Sequence, residues 1–476
     1  MKIAATVVAL LSLALAWPTA QAPANRVIHR HFDPHDRDAG RYQYVPFDVS
    51  TGTEAVTISY GYNGNDGANV IDLGLFEPGP LTLGSSSFRG YSGGAQRTIT
   101  VGRNSASPGY KTGPLPAGQW HVMLGMYKVA PAGVDVEIEI QEAREEPSPG
   151  PEGTAPHAPS AGPRGPALQT GPRWYSGGLH LHTTHSDGSI GPAALADAAR
   201  AAGLEFIAIT DHNNTAHTRE PLPSIPLHIV GEELTTPGGH ASVWGLRPGA
   251  WIDFRVSPGD AGAGKAIDGF VDEAHRAGAL FAISHPVDDC AGCSWEQAIP
   301  DGIDAIEIWQ NEKAPRDSEV AFWDRLLRAG RHITAVGVSD WHRPPSRIDR
   351  AAVRVLADSL TEAAVIDGIR RGHAIVMRDA ATMPPSVTAG CGSRTAGIGD
   401  TLACSADDTL IMRVMAPGFH DGRVDFVWNA ARITSKPIGR GVTFRMPAAA
   451  GYLRAHVFAA DGSPVAITNP VYVGMR

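Results

Sequence analysis

Four cysteines in 476 residues are too few to knit a disulfide scaffold, and a chain of this length does not need one, since it can bury a sizeable apolar core. Charge is also modest, at 19% of residues, and 40 basic against 49 acidic side chains leave a formal −9. That balance excludes the basic face of a nucleic-acid-binding protein. Long apolar runs are almost missing. The one example, Ile3 to Trp17, follows Lys2, falls short of the ~20 residues of a bilayer span, and precedes the small-residue pattern Ala20-Gln-Ala22. Residues 1–22 are therefore expected to be a secretory signal peptide, with a retained anchor as the alternative. The mature protein is then expected to be secreted or periplasmic and free of the membrane, where disulfides persist. Cys391 and Cys404 are expected to pair across a short loop. Cys290-Ala-Gly-Cys293 lacks the second CxxC of a zinc ribbon and reads as a tight structural disulfide.

What the chain does have is a change of texture along its length. Short alternating runs such as Tyr42–Val49, Ala55–Tyr60 and Val134–Ile140 predict a β-sandwich over residues 25–144. Residues 145–172, rich in Pro, Gly, Ala and Ser, predict a semi-rigid linker. From 173 to 384, apolar strand-like runs alternate with helical patterns. Four of those helices end alike, at Arg200-Ala-Ala-Gly203, Arg276-Ala-Gly278, Arg328-Ala-Gly330 and Arg370-Arg-Gly372. Arg complements the negative helix end and Gly supplies the left-handed cap, so repeated β–α–Gly–β units with parallel strands are expected, closed into a barrel of seven or eight strands. Residues 385–476 return to strands and predict a second β-sandwich.

The ligand-type side chains gather at strand ends of the middle region. "HLHTTHSDG" places His180 and His182 two apart, on one face of a strand, with Asp187 in the turn beyond. Asp211 and His212 end "ITDHN", Glu232 and Glu233 close the next run, and His240 opens the one after it. His285 lies in "ISHP", and Asp340 and His342 in "GVSDWH". In a parallel barrel the carboxyl ends share one rim, so these residues would converge. Imidazole and carboxylate without thiolate suit zinc, manganese or iron(II).

These four motifs, in this order over about residues 173–384, resemble the PHP (polymerase and histidinol phosphatase) metal-dependent hydrolases. "DLGLF", "FRGYSGG" and "TNPVYV" in the flanking regions resemble a secreted, carbaryl-hydrolase-like branch of it. The resemblance implies an α/β fold, a distorted (β/α)7 barrel between two β-sandwiches, with two or three divalent ions (Zn, Mn or Fe). It implies His180, His182, Glu233 and Asp340 around a first ion, Glu233, His240 and His285 around a second, and Asp187, His212 and His342 around a third. Glu233 is preferred to Glu232 on the pattern Gly231-Glu-Glu-Leu-Thr235, and catalytic roles fall to Glu233, Asp340 and His342. Metal-activated water would attack a small-molecule substrate, with phosphoester hydrolysis the leading reaction. Hydrolysis of a carbamate, carboxylic ester or amide is the alternative. A metal-dependent carbohydrate-binding or surface protein with a degenerate barrel is the rival of another class, with polysaccharide contact through the β domains.

Other residues take plainer readings. Asp211 is expected to orient a ligand histidine. The acidic and histidine-rich stretch His29 to Asp36 is expected to bind no metal, His185 to face substrate or solvent, and Arg343 and Arg378 to be rim or surface charges. Asn213-Asn214 is expected to shape a turn.

Overall fold

The computed structural model describes residues 25–146, 169–256, 263–288 and 292–475. The expected signal peptide, most of the expected linker and Cys290 lie outside those residues. No described helix is long and apolar enough to cross a membrane.

The N-terminal region builds two four-stranded antiparallel sheets. One carries Asn25–Phe32, Val134–Ala143, Ala55–Tyr62 and Thr98–Gly102; the other carries Tyr42–Val49, Gly118–Lys128, Val70–Phe76 and Phe88–Gly93. Strict alternation sets the packing. Val134, Val136, Ile138 and Ile140 turn inward from one sheet to meet Trp120, Val122 and Leu124 of the other. Burying each such side chain contributes about 1.5–3 kcal/mol. The stretch His29 to Asp36 is absorbed by this scaffold. Asp33 and Asp36 form a reciprocal capping box for the helix Pro34–Ala39, and His31 pairs with Asp135 on the surface.

The middle region is a mixed α/β unit, rich in strand, and its sheet is not parallel throughout. Strands Thr170–Gly178, Phe206–Ile209 and Leu227–Thr236 run parallel, as do Leu280–Ile283, Ala305–Gln310 and Thr334–Val338. Between the two sets, Gly239–Trp244 is antiparallel to both neighbours. The reason is local. Only Pro237 and Gly238 join Thr236 to Gly239, far short of the dozen residues a parallel crossover needs. The sheet curls until Trp341, past the end strand Thr334–Val338, bridges Leu181, past the interior strand Thr170–Gly178, and the His182 N–H donates to the Trp341 carbonyl at 3.0 Å. The helix ends follow the expectation: Gly203, Gly278, Gly330 and Gly372 take φ of 75 to 84° just past helices Pro192–Ala201, Ala263–Arg276, Asp317–Arg328 and Glu362–Arg370.

The C-terminal strands do not start a separate sheet. Ala374–Met377 pairs with Pro464–Thr468, so one sheet of fifteen strands runs from the middle region into the C-terminal one. A four-stranded sheet of Arg394–Ala396, Ser386–Cys391, Thr409–Met415 and Val442–Pro447 packs against that continuation. Cys391 and Cys404 are disulfide-bonded within this core.

Candidate metal centre

The curl brings the carboxyl ends of the middle strands together, and the motif residues follow. His180 and His182 lie just past Gly178 rather than on a strand, but the Leu181–Trp341 bridge keeps them extended and on one side. Glu233 and His240 face each other from the Leu227–Trp244 hairpin, with His240 Nδ1 3.0 Å from Glu233 Oε1. His285 and Asp340 leave their strands in left-handed conformations, φ 25° and 47°, a backbone state that costs about 1–3 kcal/mol at a non-glycine residue and is found where function holds it.

Glu233 is the hub. Its carboxylate lies within 3.5 Å of imidazole nitrogens of His180, His182, His212, His240 and His285. Asp340 lies 3.3 Å from His180 and 3.2 Å from His182; Asp187 lies 3.5 Å from His212 and 3.3 Å from His342. Four overlapping groups have ligand atoms close enough to share an ion: His182, Asp187, His212 and His342; His180, His182 and Asp340; His180, Glu233 and His285; His212, Glu233 and His240. All nine expected residues are thus brought together. The grouping differs from the expected one: His182 joins the Asp187 set, and His240 and His285 each meet Glu233 with a different third ligand. The cluster is graded in depth. His180, His182 and Glu233 are fully buried, whereas Asp187, His212, Asp340 and His342 keep partial exposure at the mouth.

The donor set fits divalent cations on two counts. His180 Nε2, Glu233 Oε2, His240 Nε2, His285 Nδ1 and Asp187 Oδ1 are buried and have no hydrogen-bond partner, which no interior tolerates without compensation. Their outer atoms are also fixed as metal-binding histidines require. His180 Nδ1–H donates to Glu307 at 2.9 Å, His182 Nδ1–H to Ser186 at 3.4 Å and His342 Nδ1–H to the Asp340 carbonyl at 2.9 Å, which leaves each Nε2 lone pair facing the cluster.

Electrostatics agree with this arrangement. Burial works against every charge here, yet the imidazoles of His180, His212 and His240 hold the Glu233 carboxyl well below its usual range. Burial likewise opposes ionisation of Asp340, and His180 and His182 overcome it. His212, buried beside Glu233 and Asp187, is raised to about 9; His285, buried and bonded to Glu233, is also raised to about 9. The carboxylates therefore stay ionised at neutral pH, as ligands must.

Several neighbours take definite places. Glu232 turns away from the cluster, accepts the Ile252 N–H at 3.3 Å and no other donor among the described residues, and burial raises its carboxyl well above the usual value. The Asp211 carboxylate does not touch a candidate ligand, although its carbonyl accepts the Glu233 N–H at 3.3 Å. It accepts from the Thr183 backbone and hydroxyl and from Ser186, each at 2.7 Å, so it reaches His182 only through Ser186. His185 is buried, not open to substrate: its Nδ1 accepts the Gly109 N–H at 2.9 Å and its Nε2–H donates to Glu220 at 2.7 Å. Arg343 donates to the Asp187 carbonyl at 3.1 Å at the rim, while Arg378 pairs with Asp379. Asn213, φ 52°, bonds the Thr235 backbone in both directions and shapes the turn beside His212.

Glu307 is the functional residue that sequence reasoning passed over. Fully buried, it holds His180 Nδ1, accepts the His285 N–H at 3.0 Å and the Ser242 hydroxyl at 3.3 Å. Its signal was a carboxylate inside the otherwise apolar run Ala305-Ile-Glu-Ile308.

Fold and site together define a mixed α/β protein with a cluster of His, Asp and Glu side chains at converging strand ends that could hold metal. Residues 178–297, which hold seven of the nine candidate ligands, match the PHP domain. No curated protein matches the chain. Among solved structures, a two-domain protein of Bacteroides vulgatus, described as containing a predicted PHP-like metal-dependent phosphoesterase, aligns at 16% identity over 64% of this chain and 98% of its own, with a TM-score of 0.36. A protein of Bifidobacterium adolescentis assigned as a metal-dependent phosphoesterase aligns at 17% identity over 42% and 96%, with a TM-score of 0.27. An amidohydrolase of Chromobacterium violaceum aligns at 17% identity over 36% and 88%, with a TM-score of 0.24.

Proposed function

We propose that the chain is an exported, metal-dependent hydrolase that cleaves phosphoesters, with its curled middle sheet serving as a distorted (β/α)7 barrel of the PHP type. The observation that carries this reading is the Glu233 hub: one ionised carboxylate among five imidazoles, ringed by buried nitrogens and oxygens without partners. His180, His182, Glu233 and Asp340 would hold the deep ions, and Asp187, His212 and His342 the one at the mouth. Bound divalent ions supply Lewis acidity and bring the pKa of a coordinated water toward ~7. The chain's own part is orientation. Glu307 fixes His180, Ser186 with Asp211 behind it fixes His182, and the Thr235 hydroxyl, 2.6 Å from His212 Nδ1, fixes His212. The three carboxylates Asp187, Glu233 and Asp340 leave a surplus of positive charge when three divalent ions are present, which favours an anionic substrate over a neutral one.

The carbamate or ester alternative, and with it the likeness to the carbaryl-hydrolase-like branch, is decided by the same assay. The full chain, reconstituted with manganese or zinc, is expected to cleave an aryl phosphate faster than an aryl methylcarbamate, and the reverse order moves it to the ester class. Glu233→Gln is expected to lose bound metal, read by elemental analysis, together with turnover; full turnover in that variant sinks the site.

A further inference from the structure

The N-terminal sheets are docked on the middle region along a seam beside the cluster. Phe88 meets Trp251 edge-on at 4.9 Å between ring centroids, Tyr91 packs on Phe254 at 4.7 Å, and Arg255 donates to the Tyr44 hydroxyl and, at 3.0 Å, to the Leu81 carbonyl. Two rings thus hold the strand Phe88–Gly93 on the middle region. From that strand a backbone bridge runs on toward the cluster: the Tyr91 N–H donates to the Gly109 carbonyl at 3.2 Å, and the Gly109 N–H donates to His185 Nδ1 at 2.9 Å.

Only glycine fits this bridge. Gly109 has φ 84°, and a Cβ there would lie 2.6 Å from the Tyr91 carbonyl oxygen and 3.1 Å from that of His185. His185, 4% exposed, is engaged at every polar atom. Its N–H donates to the Thr183 hydroxyl at 3.1 Å and its carbonyl accepts from the Asn214 amide at 2.9 Å. A backbone N–H at Nδ1 forces the ring proton onto Nε2, which donates to Glu220 at 2.7 Å. The Asn214 amide also donates to the His212 carbonyl at 3.0 Å, so one side chain straps the two segments that carry Asp187 and His212.

Asp187 needs such bracing more than the other two carboxylates. Glu233 lies within a strand and Asp340 two residues past one, whereas Asp187 stands in the turn of residues 183–188 with its side chain 40% exposed. From there it meets His182, His212 and His342 at 3.8, 3.5 and 3.3 Å. The turn's own bonds, from the Ser186 and Gly188 N–H groups to the Thr183 carbonyl, set its shape, and His185 ties it to its surroundings.

We propose that His185 is a positioning residue of the mouth ligand group, and that the N-terminal sandwich, acting through Gly109, is a working part of the metal centre. Docked, it holds the Asp187 turn where Asp187, His212 and His342 can share an ion. The inference rests on the metal-dependent reading of the cluster and not on the phosphoester step.

Metal uptake by the full chain tests it without turnover. Manganese bound per chain is counted by elemental analysis, and its affinity is read by competition with a chelator. Asp187→Asn, a change in a ligand itself, marks the ion that depends on the mouth group. Gly109→Ala, which alters no candidate ligand, and His185→Leu are each expected to weaken that same ion about ten-fold or more, as the loss of a ligand's outer support does, and to leave the other ions unmoved. Combined with Asp187→Asn, neither should subtract anything further. His185→Asn, whose Oδ1 can still accept the Gly109 N–H, is expected to recover much of the affinity that His185→Leu loses. A loss spread evenly over all the ions, or no recovery in His185→Asn, makes His185 a packing residue and overturns the proposal. Unchanged uptake in the variants, or in Asp187→Asn itself, overturns it too. Should Gly109→Ala fail to fold, the two His185 variants decide. If the wild type holds the Asp187-dependent ion and cleaves no phosphoester, the phosphoester reading falls and the role of His185 stands.

Discussion

The middle region meets its two neighbours in opposite ways. On the C-terminal side the junction is covalent in all but name: one sheet crosses it, Asn469 bonds Ala335 in both directions at 2.8 Å, and Arg454, 1% exposed, forks onto Asp324 of the helix Asp317–Arg328 with the Tyr452 hydroxyl 3.0 Å from the same carboxylate. The deepest charges there, Arg454 and Asp324, answer each other. On the N-terminal side the junction is a face of aromatic rings, with the Lys111 ammonium over two of them and in no ion pair among the described residues, and Gly109 meets His185 beside the cluster. The first seam closes on paired charge, whereas the second closes on aromatic faces.

Breaking the C-terminal seam should give the largest effect. Asp324→Ala strands a buried guanidinium and is expected to cost about 3–5 kcal/mol in denaturant unfolding, with turnover of the surviving folded fraction unaltered. A change below about 1 kcal/mol would mean that the pair is solvated after all. Replacing Cys391 and Cys404 by alanine, on the same side, is expected to cost roughly 3 kcal/mol, again without touching metal content. At the cluster the currency changes from stability to affinity. Glu307→Gln keeps the shape but loses the charge behind His180, and metal affinity, measured by competition with a chelator, should fall about 10–100-fold while Tm stays near that of the wild type. Equal affinity would make Glu307 a packing residue only.

The smallest effect sharpens the N-terminal side. Lys111 has a folded-state pKa of about 8 against 10.5 when unfolded, so between those values the unfolded chain binds more protons and stability should rise with pH. In Lys111→Met that rise should vanish. A wild-type slope of zero from pH 8 to 10.5 would show that burial, with Arg219 and Arg89 nearby, does not bear on this ammonium.

Much of this was legible in the chain. The four Arg…Gly helix ends were readable because capping depends on a few adjacent residues. The nine candidate ligands were readable because most lie at or just past a strand end, with Asp187 in the turn beyond, and convergence follows from the sheet rather than from any pairwise contact. Glu233 could be told from Glu232 by motif alone, and the physical difference appears only when the strand's two faces are seen, one full of imidazoles and the other holding a single backbone N–H. The antiparallel hairpin was written in Pro237-Gly238, but the expectation of uniform β–α–β units outweighed a two-residue turn. Glu307 left a fainter trace. The seat of Lys111 over two rings and the Gly109–His185 contact left none, because they exist only once sheets separated by a long stretch of chain have docked.

The overlap of the ligand groups has a further consequence. His180, His182, His212 and Glu233 each belong to two of them, but His180 and His182, with Nδ1–H held by a neighbour, have one nitrogen left to give, whereas the Glu233 carboxylate has two oxygens. Groups that share such a histidine would therefore compete for it, and those that meet only at Glu233 would fill side by side. The number of ions taken up is expected to be smaller than the number of groups, which elemental analysis of the loaded chain would count.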